Sequence, residues 1–380
     1  MKKVFFCGGG TGGHIYPALA IREILLHEFP NEIQTAFIGL SDGMEATIVK
    51  RIPDLPFLTI RAQGMPREIS WKWLTFPGRN LLGLFDALRH LRKGRPDLVV
   101  TTGGYVSFPV LLAAKILGIS YVIHEQNAAM GVTNRIFAGG AKKILLTFPE
   151  AGIGMKNFPL NAPESNSESE KDSSERRIVV TGNPVRQEFL KKSPPENRFG
   201  KKSGEFWILS VGGSRGATSL NRTCLEFSKT WIKNNPDWHL LQISGERDFE
   251  KMKTGIGDNP RHIVLPYLHE MREGFDVADI LLSRAGATIL AEIACCRKPA
   301  ILVPFPFATD NHQERNARVL ENQGAAKVIL DRDLTVDVLG ETLKTLIENH
   351  SLEKMAEKMA LSRPPDVENR IFSALRTILN

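Results

Sequence analysis

MKKVFFCGGGTGGHIYPALAIREILL, Met1–Leu26, is the stretch whose reading decides the fold. Val4–Cys7 is a short apolar run with the look of a buried strand, Gly8–His14 (GGGTGGH) is a glycine-rich turn, and Ile15–Leu26 carries helical spacing. Glycines let a backbone turn sharply and approach a ligand closely. The helix that follows offers unpaired N–H groups and the positive end of its dipole. The run is not the dinucleotide pattern GxGxxG, because it has too many consecutive glycines and puts Thr11 and His14 at the mouth of the turn. Alone, such a turn serves tight packing equally well.

The same strand–turn–helix grammar continues along the chain. Strands are expected at Val4–Cys7, Thr35–Gly39, Phe57–Ile60, Leu98–Thr102, Tyr121–Glu125 and Lys143–Phe148. A second series covers Phe206–Val211, His239–Ser244, His262–Pro266, Ile280–Ser283, Ala300–Pro304 and Lys327–Leu330. These are continuous apolar runs separated by helical periodicity, the signature of parallel strands buried on both faces. With 380 residues, two doubly wound α/β domains are expected, residues 1–185 and 186–362. An amphipathic helix at about 363–380, with Ile371, Leu375 and Ile378 on one face, packs back on the first domain. Asn161–Arg177 is polar and rich in Ser and Glu, which reads as a solvated surface loop. Ligands of such sheets bind beyond the carboxyl ends of the strands, so a cleft between two facing domains is the expected site.

Composition narrows the function classes. The formal charge of +7 suits phosphate esters or an anionic membrane surface. No zinc-ligand pattern, basic helix or aromatic–basic RNA motif supports a nucleic-acid partner. Cys7, Cys224, Cys295 and Cys296 form no CxxC pair, and neither a disulfide framework, a metal site nor a cofactor is expected. No apolar run is long enough for a signal peptide or a membrane span, which points to the cytoplasm.

Two further glycine turns follow strands, GGYVS (Gly103–Ser107) and GGSRGA (Gly212–Ala217). Three such turns argue for a ligand with phosphates or several hydroxyls. Strand Tyr121–Ile123 ends in His124, Glu125, Gln126 and Asn127, more polar residues than a loop needs, so some should face the cleft unless they cap a turn. Arg284 follows Ile280–Ser283, and guanidinium pairs with diphosphate oxygens in bidentate fashion. Glu292 lies eight residues on, which puts it on the face of Arg284 if the helix starts early, and a carboxylate there can accept from both ribose hydroxyls. Asp310, Asn311, His312 and Gln313 suit sugar hydroxyls.

Taken in order, GGTGGH (Gly9–His14), GGYVSFP (Gly103–Pro109), HEQNA (His124–Ala128), TGNPVR (Thr181–Arg186), GGSRGA, SRAGA (Ser283–Ala287), AEI (Ala291–Ile293) and HQ (His312–Gln313) resemble the MurG family over essentially the full chain. This is the family of undecaprenyl-diphospho-muramoyl-pentapeptide N-acetylglucosaminyltransferases. The resemblance implies a GT-B fold of two Rossmann-like domains and an inverting transfer from UDP-N-acetylglucosamine to lipid I, giving lipid II in peptidoglycan synthesis. It implies that Arg186, Ser214, Arg284, Thr288 and Glu292 hold the nucleotide and diphosphate, with His312 and Gln313 at the sugar. Thr11, Gly12, Gly13, His14, Tyr105, Glu125 and Asn127 would then line the acceptor side. Ile289 stands where the family usually has Thr, His312 stands where it can have Gln, and Asn161–Arg177 has no expected counterpart.

Inversion needs a base for the acceptor hydroxyl. His14 is the first candidate, because an imidazole exchanges protons near neutrality, and Glu125 the second; His14 as a binder of diphosphate is the alternative. The segment Gly64–Arg95 mixes Trp71, Trp73 and Phe85 with Arg67, Lys72, Arg79, Arg89 and other basic residues, which suits peripheral docking on the cytoplasmic face of an anionic inner membrane. A core helix with a solvated basic edge is the competing reading. A UDP-N-acetylglucosamine 2-epimerase would share architecture and nucleotide but leaves this segment and HEQNA unexplained. A non-catalytic membrane-anchoring subunit would not need His14, Glu125, Arg284 and Glu292.

Overall fold

The structure is a computed structural model and describes residues 1–65, 72–155, 176–190, 197–212 and 217–379. Ser214, Trp71, Arg67 and residues 161–175 of the polar stretch lie outside the described residues, as does most of the third glycine turn. The chain forms two compact units, Met1–Pro184 with Pro364–Asn380, and Val185–Arg363.

The first unit contains a seven-stranded parallel sheet: β1 (Lys2–Cys7), β2 (Ile33–Leu40), β3 (Phe57–Ile60), β4 (Leu98–Thr101), β5 (Ser120–Glu125), β6 (Lys143–Leu146) and β7 (Ile178–Val180), in the order β3-β2-β1-β4-β5-β6-β7. Alternate side chains of β1 enter different cores. Phe5 and Cys7 pack with Ala87, Leu91 and Val110 on one face, and Val4 and Phe6 pack with Ile15, Leu19 and Leu375 on the other. This two-sided burial produces the unbroken apolar runs, and each large side chain so buried contributes about 2 kcal/mol.

The second unit repeats the plan with β8 (Phe206–Val211), β9 (Trp238–Ile243), β10 (His262–Leu265), β11 (Ile280–Ser283), β12 (Ala300–Leu302) and β13 (Ala326–Val328), ordered β10-β9-β8-β11-β12-β13. All twelve expected strands are present. β7 was not among them: three residues are too few to show a period, and it forms because β6 offers an open edge, Ile144 pairing with Ile178 and Leu146 with Val180.

Strand order reverses between β1 and β4 in the first unit and between β8 and β11 in the second. These are the topological switch points, where the loops after neighbouring strands part and leave a crevice. The three glycine turns and Arg284 all follow one of these four strands. The last helix, Val367–Leu379, buries Val367, Ile371, Ala374 and Leu375 in the first unit's core, and Phe372 meets Phe29 at 5.3 Å between ring centroids. Gly182 holds φ at +82°, and a Cβ there would stand 2.8 Å from Val367 Cγ2, so the turn after β7 requires glycine.

Candidate active site

The first glycine turn folds against the second. Thr102, directly after β4, donates its hydroxyl to the His14 carbonyl at 2.6 Å and its backbone N–H to Cys7 O at 3.1 Å. Gly104 sits at φ +84°, and a Cβ there would overlap the Gly9 carbonyl. The ring of Tyr105 covers Gly10 at contact distance. From β2's side, the buried carboxylate of Glu45 accepts from Leu40 N at 3.0 Å and Gly10 N at 3.3 Å. Gly10 N–H therefore points into the protein. Thr11 precedes the helix Gly12–Glu28 without a side-chain cap, and its carbonyl accepts from His14 N and Ile15 N.

His14 Nδ1 lies 2.8 Å from Thr102 O and 3.0 Å from Gln126 Oε1. Both partners can only accept, so Nδ1 carries the hydrogen and donates. In the neutral ring Nε2 then holds the lone pair, without a partner among the described residues. Nε2 is therefore the accepting nitrogen of the neutral ring.

The HEQN cluster turns inward. His124, Glu125 and Gln126 are buried and Asn127 is half-exposed, so the first three follow the alternative reading, a cluster that holds a turn, and only Asn127 keeps an exposed side chain. Glu125 Oε1 accepts from Asn127 N at 3.0 Å and Asn127 Nδ2 at 3.1 Å. Oε2 accepts from Gly131 N at 2.9 Å and Asn134 Nδ2 at 2.8 Å. Four donors fill the carboxylate, which ties down the loop from Asn127 to Asn134. Of the two candidate bases, His14 has the open lone pair.

At the second switch point the polar groups are charged. Arg284 Nη1 donates to Asp331 Oδ1 at 2.5 Å and Val303 O at 3.1 Å, and Nη2 donates to Ser219 Oγ at 2.8 Å. Arg284 thus braces the ends of β11 and β12 against the helix Thr218–Phe227. That helix follows the third glycine turn. The helix after β11 starts only at Ala287, so Glu292 does not share a helical face with Arg284. It pairs instead with Arg186 Nε at 2.8 Å, and Arg186 Nη1 reaches Glu188 at 2.8 Å. Burial raises the Glu292 carboxyl above its ordinary value, with Arg186 opposing. Burial likewise pushes Glu188 up to about 7, aided by Glu270 and Glu292. Thr288, in the first turn of that helix, has a buried hydroxyl without a hydrogen-bond partner among the described residues.

Gln313 Oε1 accepts from Ala285 N at 3.2 Å and Phe305 N at 3.0 Å, clasping the loops after β11 and β12 and leaving its NH₂ to donate elsewhere. His312 Nδ1 donates to Thr309 O at 2.7 Å. No group of three or more His, Cys, Asp or Glu among the described residues is arranged to hold a metal ion.

Several supporting residues escape sequence reasoning: Glu45, Thr102, Asn134, Ser219, Asp331 and Glu188. Their partners lie far along the chain or are backbone atoms, so no spacing betrays them. Only the run of four polar residues after β5 hints at its own buried network.

The helix Lys72–Gly94 buries Ala87 and Leu91 and exposes Trp73, Leu74, Leu81, Leu82 and Phe85. Arg79, Arg89, Arg92 and Lys93 are exposed on the same helix. No helix among the described residues is long and apolar enough to cross a membrane.

Residues 4–146 match the glycosyltransferase family 28 N-terminal domain and residues 207–371 the family's C-terminal domain. A Thermoanaerobacter sp. (strain X514) relative is 39% identical over 99% of this chain and 100% of its own. That protein is described as UDP-N-acetylglucosamine–N-acetylmuramyl-(pentapeptide) pyrophosphoryl-undecaprenol N-acetylglucosamine transferase. The chain belongs to the MurG group of glycosyltransferase family 28. A second family 28 relative, from Desulfitobacterium hafniense (strain DSM 10664 / DCB-2), carries the same description and is 40% identical over 97% of each chain. Among solved structures, Acinetobacter baumannii MurG superposes with a TM-score of 0.75 at 28% identity, covering 99% of this chain and 100% of that one. A UDP-N-acetylglucosamine 2-epimerase from Listeria monocytogenes shares the GT-B fold alone, with a TM-score of 0.68 at 15% identity over 99% of this chain and 96% of that one.

Proposed function

We propose that this chain transfers N-acetylglucosamine from UDP-N-acetylglucosamine to lipid I with inversion, giving lipid II and UDP in peptidoglycan synthesis. The first unit takes the acceptor and the second holds the donor. In the reaction His14 Nε2 removes the proton of the attacking sugar hydroxyl. The hydroxyl oxygen bonds to the anomeric carbon as the bond to UDP breaks, and the electron pair leaves on the diphosphate. That charge falls to the turn Gly212–Ala217 with Ser214, to the N-terminal turn of the helix Ala287–Cys295 with Thr288, and to the field of Arg284. Glu292 with Arg186 receives the ribose, and Gln313 and His312 receive the donor sugar. Thr11, Gly12 and Gly13 present N–H groups to the acceptor diphosphate, with Tyr105 and Asn127 beside them.

The observation that carries the mechanism is the hydrogen bonding of His14, whose Nδ1 faces two acceptors. Replacing His14 by Ala should lower kcat by about 100-fold or more while UDP binding, followed by calorimetry, stays intact. Turnover within a few-fold of wild type would remove His14 from the role of base.

The acceptor carries a lipid tail, and the helix Lys72–Gly94 supplies a surface for meeting it. Trp73 and Phe85, with Trp71 before them, enter the interface of the cytoplasmic leaflet of the inner membrane, while the basic residues attract its anionic headgroups. The protein works there as a peripheral enzyme.

A further inference from the structure

We propose that His124 and Gln126 are positioning residues, a relay that carries the polarity of one backbone carbonyl to the ring of His14. The inference rests on His14 being the base and explains what holds it ready.

The relay starts at Gly182 O, beside the boundary between the two units. A carbonyl only accepts, so His124 Nε2, 3.1 Å away, carries the hydrogen. His124 is fully buried, and burial pushes its pKa down to about 4, so the ring is neutral and Nδ1 must accept. The donor to Nδ1 is Gln126 Nε2 at 2.9 Å, which also donates to His124 O at 2.7 Å. With its NH₂ spent on His124, Gln126 has only Oε1 to offer His14, at 3.0 Å. Each bond sets the direction of the next. Thr102 O agrees with the outcome from the opposite side. A flip of the Gln126 amide would set its NH₂ against the Nδ1 hydrogen of His14 and its oxygen against the lone pair of His124. Titratable groups on the strand ends and turns around His14 include Cys7, whose buried thiol is pushed up to about 11, Glu45 on Gly10 N–H, Tyr105, and Glu125 under its four donors, while Tyr16, Arg22, Glu23, His27 and Glu28 follow on its own helix.

Nitrogen-15 correlation spectra of histidine-labelled wild-type protein read the tautomers directly, with His14 assigned by loss of its signal in His14→Gln. The expected result is opposite tautomers, Nδ1–H for His14 and Nε2–H for His124. An Nε2–H form of His14 overturns the relay, and the tautomer itself is read on the wild-type protein. Two substitutions then test the coupling. Gln126→Glu places a carboxylate on Nδ1–H and should raise the His14 titration by about one pH unit. Gln126→Met removes the acceptor and should lower that titration, reducing kcat by roughly 10- to 100-fold with KM for UDP-N-acetylglucosamine unchanged. Titration of His14 unmoved in both variants overturns the relay. If the titration moves while the acid limb of the kcat/KM profile stays put, the relay stands and the assignment of His14 as base falls.

Discussion

Both sheets reverse strand order at equivalent places, β1/β4 and β8/β11, yet their polar groups are held by different physics. In the first unit the network around His14 joins mostly neutral groups, and its information lies in direction: which atom donates and which accepts. Its buried carboxylates, Glu125 and Glu45, are met by N–H donors, without a cationic partner among the described residues. In the second unit opposite charges are paired where solvent is restricted, the buried Arg284 on a half-buried Asp331 and a half-buried Arg186 between Glu188 and the buried Glu292, and the information lies in balance. A directional network fails when one amide or ring is reversed. A balanced cluster fails when one ion is left alone. The first arrangement suits moving a proton at a defined atom, and the second suits receiving and releasing a charged diphosphate.

The largest expected effect on stability tests the balance. Arg284→Met should cost about 3 kcal/mol in denaturant unfolding, because the half-buried Asp331 loses its partner and Ser219 and Val303 O lose a donor, and adding Asp331→Asn should return part of it. A neutral single variant would break the comparison. Next, Glu125→Gln should cost about 2–3 kcal/mol, since an amide offers donors to groups that already donate. Its pH–rate profile should keep the wild-type shape. A collapse of kcat without loss of stability would make Glu125 the base and reverse the roles in the first unit.

The two units should also answer pH with opposite sign. Folding raises the Glu188 carboxyl from 4.5 to about 7, so the folded chain holds that proton more tightly than the unfolded one. Its contribution is full below about 4.5 and is lost as pH climbs to about 7. Folding lowers His124 from 6.5 to about 4, so its contribution is full above 6.5 and is lost as pH falls towards 4. Thermal unfolding of Glu188→Gln against wild type between pH 4 and pH 8 should show the falling slope removed, with a gain of about 1 kcal/mol at pH 8 after solvent screening of this half-exposed group. An unchanged slope would place the raised carboxyl elsewhere.

The smallest effect on folding concerns the surface helix. Trp73→Ser with Phe85→Ser should change stability by no more than about 0.5 kcal/mol and reduce co-sedimentation with anionic vesicles several-fold. Undiminished vesicle binding would leave this helix as a solvated face.

Much of the fold was readable along the chain because parallel strands buried on both faces leave unbroken apolar runs, and glycine turns mark where they end. β7 was not, since Ile178–Val180 is strand only by virtue of β6 beside it. The candidate site was half-legible. His14, Tyr105, Arg284 and Gln313 declare themselves by following strands, whereas Glu45 and Asp331 look like ordinary surface acids until the chain brings Gly10 and Arg284 to them. Glu292 was legible as a buried acid, but its partner Arg186 lies 106 residues away, and no local spacing could name it.

Sequence alone determined the strands, the three glycine turns and the residues able to carry a proton or meet a phosphate, because these depend on local periodicity and side-chain chemistry. It also settled the family, through motifs kept in order. Tertiary structure decided what each polar group does. The stretch Met1–Leu26 supplies the imidazole of His14, but the carbonyl of Thr102 and the amide of Gln126, on two other strand ends, determine which nitrogen bears the hydrogen. A hydrogen bond is a relation between atoms distant in the chain. Only folding brings together the acceptors that leave the Nε2 lone pair open.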